Sequence, residues 1–370
     1  MKIAVDAMGG DYAPQVPVEG AILAAREFET QVILVGDKEL IQAELDKHDV
    51  TGLPLTVKHA SEIVGMDESP SEGLRKKKDS SIRVAFDLAK AGDAQAVVSA
   101  GNSGAVLATG IYVLKRLDGV DRPSLAALVP TLKGASVMLD GGANVVCKPT
   151  HLMQFAIMGD VYARHVLKKE NPKVGLLSNG SEDSKGNDLT RNSHSILNNS
   201  FVNYIGYVEG MDVYDGSVDV VICDGFTGNI SLKISEGLFQ TLESTFKAEM
   251  AKDLRSKFAY ILAKRALKNI RKRFDYSEYG GAPLLGIDGV GIISHGNSSP
   301  KAIKNGIQMA VGFVSNRVNP HLIENLKRNQ ELQKILKGHP AKIWEQIKDK
   351  ITFAEEKWKK QVTKSTEKSE

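Results

Sequence analysis

Cysteine is scarce: Cys147 and Cys223 are the only two in 370 residues, and they form no Cys-x-x-Cys pair. That excludes a disulfide scaffold and a cysteine-based zinc site, and it suits a reducing, cytosolic setting. No stretch of about 18 uncharged apolar residues occurs, so no segment reads as a membrane-spanning helix. The opening Met1-Lys2-Ile3-Ala4-Val5-Asp6 runs into an acidic, Gly-rich turn and lacks the long apolar core of a signal peptide. No His-Glu-x-x-His is present, and no two histidines lie within four residues of each other. No metal and no cofactor is therefore expected. A Walker A ending and a Gly-x-Gly-x-x-Gly after the first strand are also missing, which leaves nucleotide binding unsupported.

What is present is ordinary globular material, 42% hydrophobic and 25% charged, enough for a sizeable core and against disorder for the bulk of the chain. The formal net charge is +3, unevenly spread. Between Lys247 and Phe274 ten Lys/Arg face two acids, a local +8 that leaves −5 for the rest. A mildly acidic body with one basic segment points to a localised surface contact, not to nucleic acid.

Short β-rich runs alternate with helical patterns. Strands are predicted at Ile3–Val5, Val32–Val35, Leu55–Val57, Ala96–Ser99, Leu125–Val129, Ser136–Leu139, Val174–Leu177, Tyr204–Val208, Val218–Ile222 and Val290–Ile293. Helices are predicted at Pro17–Glu27, Ile82–Lys90, Ala105–Lys115 and Leu152–Lys168. Several strands are almost continuously apolar, as in a parallel sheet covered on both faces. The alternation predicts a doubly wound α/β sheet.

Many of these strands run straight into a small, polar, Gly-rich loop. The six are Asp6–Asp11, Ser99–Gly104, Asp140–Asn144, Ser178–Asp188, Asp224–Asn229 and Ser294–Ser299. Ligands of open α/β sheets bind outside the carboxyl ends of strands, so six loops on one side predict a shared polar pocket. Strand, Gly-rich loop and helix together present backbone N–H groups and a positive helix end to an anion. The Ser99–Gly104 loop, with Asn102 and Ser103 as added donors, fits a small anion such as phosphate.

Single residues stay open between two readings. Lys185 is either a solvated loop lysine or a cation reaching into the pocket. Asp224 either caps the next helix as an Asx turn or holds a substrate or a lysine. His295 suits a structural role better than anion contact, and Cys223 suits a buried strand end better than a nucleophile. The segment Lys247–Phe274 has no Pro or Gly, and Met250, Leu254, Phe258, Ile261 and Leu262 recur at helical steps, extended by Ala266, Ile270 and Phe274. This stripe packs on the core or a partner subunit, or else lies on an anionic membrane surface. At Asn319-Pro320 the character changes to Lys, Glu, Gln and Leu, so the expected domains are 1–320 and 321–370. The latter has helical patterns at Ile323–Leu336 and Ala341–Trp358 and a polar tail.

The loops also carry a family likeness. Met1–Pro14, Lys77-Lys78-Asp79-Ser80-Ser81, Ser99–Ala105, Leu139–Asn144, Leu177–Gly180 with Lys185-Gly186, and Cys223–Asn229 resemble, in order, the phosphate acyltransferases of the PlsX family, over roughly residues 1–320. The resemblance implies a three-layer α/β/α sandwich with a mostly parallel sheet, similar to phosphotransacetylases and isocitrate dehydrogenases. It further implies a homodimer on the cytoplasmic face of the membrane. Such an enzyme converts acyl-[acyl-carrier protein] and inorganic phosphate into acyl phosphate, used by a membrane glycerol-3-phosphate acyltransferase in phospholipid synthesis. Rival readings are a phosphate acetyl- or butyryltransferase acting on acyl-CoA and a non-catalytic scaffold for carrier protein or membrane.

This chemistry needs neither a strong base nor a metal. Phosphate already carries an anionic oxygen, and a thiol of pKa about 8.5 leaves as thiolate. The remaining task is to hold phosphate against a thioester carbonyl and to stabilise the oxyanion. On the matched motifs, Lys185 is expected to orient phosphate and Asp224 to position Lys185, with Asn102, Ser103 and Asn229 in support. The other substrate-binding candidates are Asp6, Gly9, Gly10, Gly104, Asp140, Asn144, Ser178, Asn179, Gly180, Gly186 and Gly225. Leu254, Phe258, Ile261 and Leu262 are the membrane-binding candidates.

Overall fold

A computed structural model describes residues 1–28 and 30–338. The chain divides into two compact units, Met1–Ile323 and Glu324–Glu370, and the architecture below is that of the first. The pattern expected at Ala341–Trp358, and the tail after it, lie outside the described residues.

Eleven strands form one sheet: β1 (Lys2–Asp6), β2 (Gln31–Gly36), β3 (Leu55–His59), β4 (Ala96–Ser99), β5 (Ser124–Thr131), β6 (Gly134–Leu139), β7 (Val174–Leu177), β8 (Tyr204–Val208), β9 (Val220–Ile222), β10 (Ala282–Leu285) and β11 (Gly291–Ile293). Their order is β3-β2-β1-β4-β11-β10-β5-β6-β9-β7-β8. Helices α1 (Gln15–Phe28), α2 (Lys38–Leu45), α3 (Pro70–Lys76), α4 (Ser81–Ala91), α5 (Ser103–Leu114), α6 (Pro149–His165), α7 (Asp188–Leu197), α8 (Asp212–Asp215), α9 (Gly225–Met250), α10 (Leu254–Phe274), α11 (Pro300–Ser315) and α12 (Val318–Gly338) complete the described chain. The sheet is mostly parallel with helices on both faces, the expected three-layer α/β/α class. Burial explains the composition: all four residues of β4 and all three of β9 and β11 are inaccessible, so each reads as a short apolar run without alternation.

All ten predicted strands are present. The eleventh, β10, reads Ala-Pro-Leu-Leu and gives no strand signal, because Pro283 removes a ladder donor and each neighbour pairs with only two of its residues. That strand decides the topology. It runs antiparallel to both β11 and β5, and β5 runs antiparallel to β6. Hence β1, β2, β3, β4 and β11 point one way, while β6, β7, β8 and β9 point the other. The six Gly-rich loops therefore do not share a side. Those after β1, β4 and β11 leave one edge of the sheet, and those after β6, β7 and β9 leave the opposite edge.

Two helical expectations are also corrected. The Lys247–Phe274 segment is not one helix. Helix α9 ends at Met250 with Ala251 as its C-cap, and Asp253, accepting from the Ser256 N–H (2.8 Å) and hydroxyl (2.9 Å), caps the start of α10 at Leu254, all without any Gly or Pro. The change of character at Asn319-Pro320 falls inside a helix, not between two elements. Pro320 sits in the first turn of α12, where no intrahelical N–H is required.

Helix α6 lies on β9 through Gly159, where an added methyl group would overlap the Val220 side chain. Gly159→Ala should therefore cost about 1–3 kcal/mol of stability through overpacking. In thermal denaturation the single variant should melt below the parent, and adding Val220→Ala should recover part of the loss. An unchanged melting temperature for Gly159→Ala would contradict this close approach.

Candidate active site

At the first edge, the loops after β1, β4 and β11 are sewn together by their own groups. Asp6 is buried; it accepts from the Ser99 hydroxyl (2.7 Å) and the Met8 N–H (3.2 Å), and burial pushes its carboxyl above the usual range. A side chain at Gly9 would stand 2.6 Å from the Asp6 carboxylate and 2.7 Å from the Gly101 nitrogen, so the loop closes only around glycine. The Asp11 N–H donates to the Gly296 carbonyl (2.8 Å) beside Gly10. Asn102 caps α5 by accepting from the Ala105 N–H (3.1 Å), and its amide donates to the carbonyls of Met66 (2.8 Å) and Glu68 (2.9 Å). Ser103 lies exposed on the first turn, and Gly104 sits against Pro70. Asp6 and Asn102 are thus engaged in holding the loops themselves.

At the opposite edge, everything hangs on Asp140. Its side chain is fully buried. One oxygen accepts from the N–H groups of Leu125 (3.0 Å), Gly142 (3.2 Å) and Ala143 (3.0 Å). The other accepts from the Asn144 N–H (2.7 Å) and its amide (2.8 Å). Burial pushes this carboxyl upward, and the five donors pull against that shift. The Asn144 amide also reaches the Pro123 carbonyl (2.7 Å), and the Asn144 carbonyl accepts from the Gly225 N–H (2.8 Å). A side chain at Gly225 would collide with the Asn144 backbone at 2.8 Å, and one at Gly228 would overlap the Asp140 carbonyl. Asn229 lies over Gly142.

Above this base opens a pocket of about 460 Å³. Ser178, Asn179 and Gly186 from the loop after β7 and Cys223, Asp224 and Thr227 after β9 line it, together with the apolar Leu152 and Leu177. Two helices begin here. Asn187 caps α7 by accepting from the Thr190 N–H (2.9 Å), and Asp224 caps α9 by accepting from the Thr227 N–H (2.9 Å) and hydroxyl (2.8 Å). Both caps and both third residues line the pocket, so two positive helix ends converge on it. Gly186 (φ +83°) is held on both sides: its N–H donates to Asn179 (2.9 Å), and its carbonyl accepts from Arg191 (2.5 Å).

The expected partnership of Asp224 with Lys185 is not formed. Asp224 spends both oxygens on Thr227, the helix-cap alternative, and the Lys185 ammonium stands 3.9 Å from Glu182 at 44% exposure. Gly180 backs the Lys185 stem in the same loop. Of the candidates, the structure gathers Asp140, Asn144, Ser178, Asn179, Gly180, Lys185, Gly186, Asp224, Gly225 and Asn229 at this edge. It leaves Asp6, Gly9, Gly10, Asn102, Ser103 and Gly104 at the other. Asn187, Thr190, Thr227 and Arg191 were not singled out from the sequence, although Asn187-Asp188-Leu189-Thr190 is a legible helix start. Cys223 is a buried thiol whose pKa is raised well above normal by desolvation and neighbouring Asp140, and burial pushes half-buried Cys147 up to about 12. Neither is a ready nucleophile.

A family model described as fatty acid synthesis protein matches residues 1–321. The chain belongs to this family, the PlsX family. It is 58% identical over 332 residues to a phosphate acyltransferase of Geotalea daltonii, covering 90% of this chain and 96% of that one. It is also 58% identical over 327 residues to the phosphate acyltransferase of Geobacter sulfurreducens, covering 88% and 94%. In fold it resembles a phosphotransacetylase from Streptococcus pyogenes (TM-score 0.58, 18% identity, 85% of this chain and 94% of that one). A branched-chain phosphotransacylase from Enterococcus faecalis is similar too (TM-score 0.52, 14% identity, 85% and 99%). Family membership makes the chain a transferase of the acyltransferase class.

Because Asp140 holds the loop that in turn holds the start of α9, Asp140→Asn tests this arrangement directly. An amide there would turn an NH₂ toward donors, and the expected loss of stability is on the order of 3 kcal/mol. Urea denaturation should show a lower midpoint; a midpoint equal to the parent's would remove Asp140 from its central place.

Proposed function

We propose that this chain transfers a fatty acyl group from acyl-[acyl-carrier protein] to inorganic phosphate, and that the acyl phosphate feeds phospholipid synthesis through a membrane glycerol-3-phosphate acyltransferase. Acyl transfer to phosphate follows from the family. The observation that carries the site is the meeting of two helix N-termini and the Ser178–Asp188 loop at one pocket. Phosphate bound there would take backbone N–H groups and helix-end potential, with Lys185 as the mobile cation that orients it beside the thioester. Gly186, which lines the pocket, is pinned next to Lys185 in the chain, so the lysine's reach to the phosphate would start from a fixed backbone. Asp224 acts through α9, whose first turn it fixes, and not through the lysine. Asn144 and Gly225 hold the start of α9 in place, and Asn229 packs over Gly142 behind it. The deciding experiment is incubation of purified protein with long-chain acyl-carrier protein and phosphate, followed by hydroxylamine trapping of acyl phosphate. Product from acyl-CoA alone would favour a phosphate acetyl- or butyryltransferase, and no product from either donor would favour the scaffold.

Lys185→Ala should lower turnover on the order of 100-fold or more with little change in melting temperature, because the side chain is exposed. A near-normal phosphate KM and kcat in this variant would refute the assignment.

The cytoplasmic homodimer and its membrane association belong to the same proposal. No helix of the described residues is long and apolar enough to cross a membrane. Along α9, Phe226, Ile230, Ile234, Leu238, Leu242 and Phe246 recur every fourth residue and are all exposed, a stripe that a second subunit would cover. Helix α10 carries eight Lys/Arg and no acid. Its Leu254 (83% exposed), Phe258, Ile261 and Leu262 are all open to solvent, which supports an anionic membrane surface over core packing within the subunit. Leu254→Glu with Ile261→Glu should abolish salt-sensitive co-sedimentation with anionic vesicles while sparing acyl phosphate synthesis in solution. Undiminished pelleting would exclude α10 as the anchor.

A further inference from the structure

Far from this pocket in sequence, helix α1 packs against α2 and brings three ligand-type side chains together. Glu19 stands on α1, Glu44 in the last turn of α2, and His48 in the turn that follows, held by its N–H to the Leu45 carbonyl (3.0 Å). One carboxylate oxygen of each Glu and one ring nitrogen of His48 all lie within 4.8 Å of one another.

Two observations set the group apart from a solvated acidic patch. Glu44 is only 7% exposed, and His48 Nε2 has less than 1 Å² of accessible surface with no hydrogen-bond partner among the described residues. A buried ring nitrogen without a partner is costly unless something fills the place. The charges are also unbalanced. Lys47 Nζ meets one Glu44 oxygen at 2.6 Å, whereas among the described residues Glu19 accepts only from the neutral Gln15 amide (3.1 Å). One cation thus answers two clustered carboxylates.

We propose that Glu19, Glu44 and His48 form a binding site for a divalent transition-metal ion of the zinc type. Metal–oxygen and metal–nitrogen bonds of about 2.0–2.2 Å in tetrahedral geometry set neighbouring donors roughly 3.4 Å apart, so side-chain rotations that move the three donor atoms by about an ångström close the site. Two carboxylate oxygens and one imidazole are a borderline donor set, suited to Zn²⁺ and its neighbours and poorly suited to Mg²⁺. Three protein ligands leave a position for water. The ion would tie α1 to the end of α2, a stabilising clamp independent of acyl transfer.

The test uses the full chain, freed of metal by a chelator and titrated with ZnCl₂ in a calorimeter and in thermal melts. One equivalent should bind and raise the melting temperature, and Glu19→Gln and His48→Gln should each weaken binding at least tenfold. Absence of saturable binding, or parental affinity in both variants, would overturn the site. Should either variant fold differently by circular dichroism, Co²⁺ added to the unaltered protein decides. Visible ligand-field absorption displaced by Zn²⁺ supports the site; its absence refutes it. Acyl phosphate formation should stay within twofold in the metal-free protein, so a failure of the metal site is distinguishable from a failure of the proposed reaction.

Discussion

A single buried carboxylate organises the functional edge of this molecule. Asp140 ends β6 and gathers five donors, one of them the Leu125 N–H at the start of β5 and two from Asn144. Asn144 in turn fixes the Gly225 N–H, the first residue of α9. The chain of contacts runs from strand end to loop to helix start, so the positive end of α9 is aimed by a charge that never touches the pocket. An anion buried this deeply is sustained only by being fully answered. That explains why the surrounding sequence is small: Gly142, Ala143, Gly225 and Gly228 leave no bulk between the carboxylate and its donors.

Much of the sheet was legible because buried parallel strands leave short apolar runs, and the Gly-rich loops were legible because close backbone approach excludes side chains. The direction of the strands was not. Orientation follows from β10, whose Ala282-Pro283-Leu284-Leu285 carries no periodic signal and becomes a strand only by lodging between β11 and β5. Six similar loops thus divide into two sets of three. The break between α9 and α10 was also hidden: Asp253 and Ser256 form the cap, and an Asp-x-x-Ser spacing is easily overlooked inside a continuous basic helical pattern.

At the site, loop membership could be read from the motifs and pairing could not. Asp224 was placed at a strand end, and both of its possible uses were evident. Choosing between them needed the distance to Thr227, a local contact that outcompetes a lysine on a separate loop. The Glu19, Glu44 and His48 group shows the complementary limit. Glu44 and His48 are four residues apart, but Glu19 comes from another helix, and a scan for paired histidines passes over it.

The reversal at β10 also sets an order of assembly. Strands β5 to β9 occupy a continuous stretch, residues 124–222, and can pair among themselves as soon as that stretch has left the ribosome. The other half cannot be completed so early. Its strand β4 waits for β11, nearly 200 residues later, to cover its open edge. Until then the apolar Ala96–Ser99 edge is unpaired, a long-range contact of the slow-forming kind. A truncation before residue 290 would therefore leave one half of the sheet able to close and the other permanently open, a species prone to edge-to-edge association.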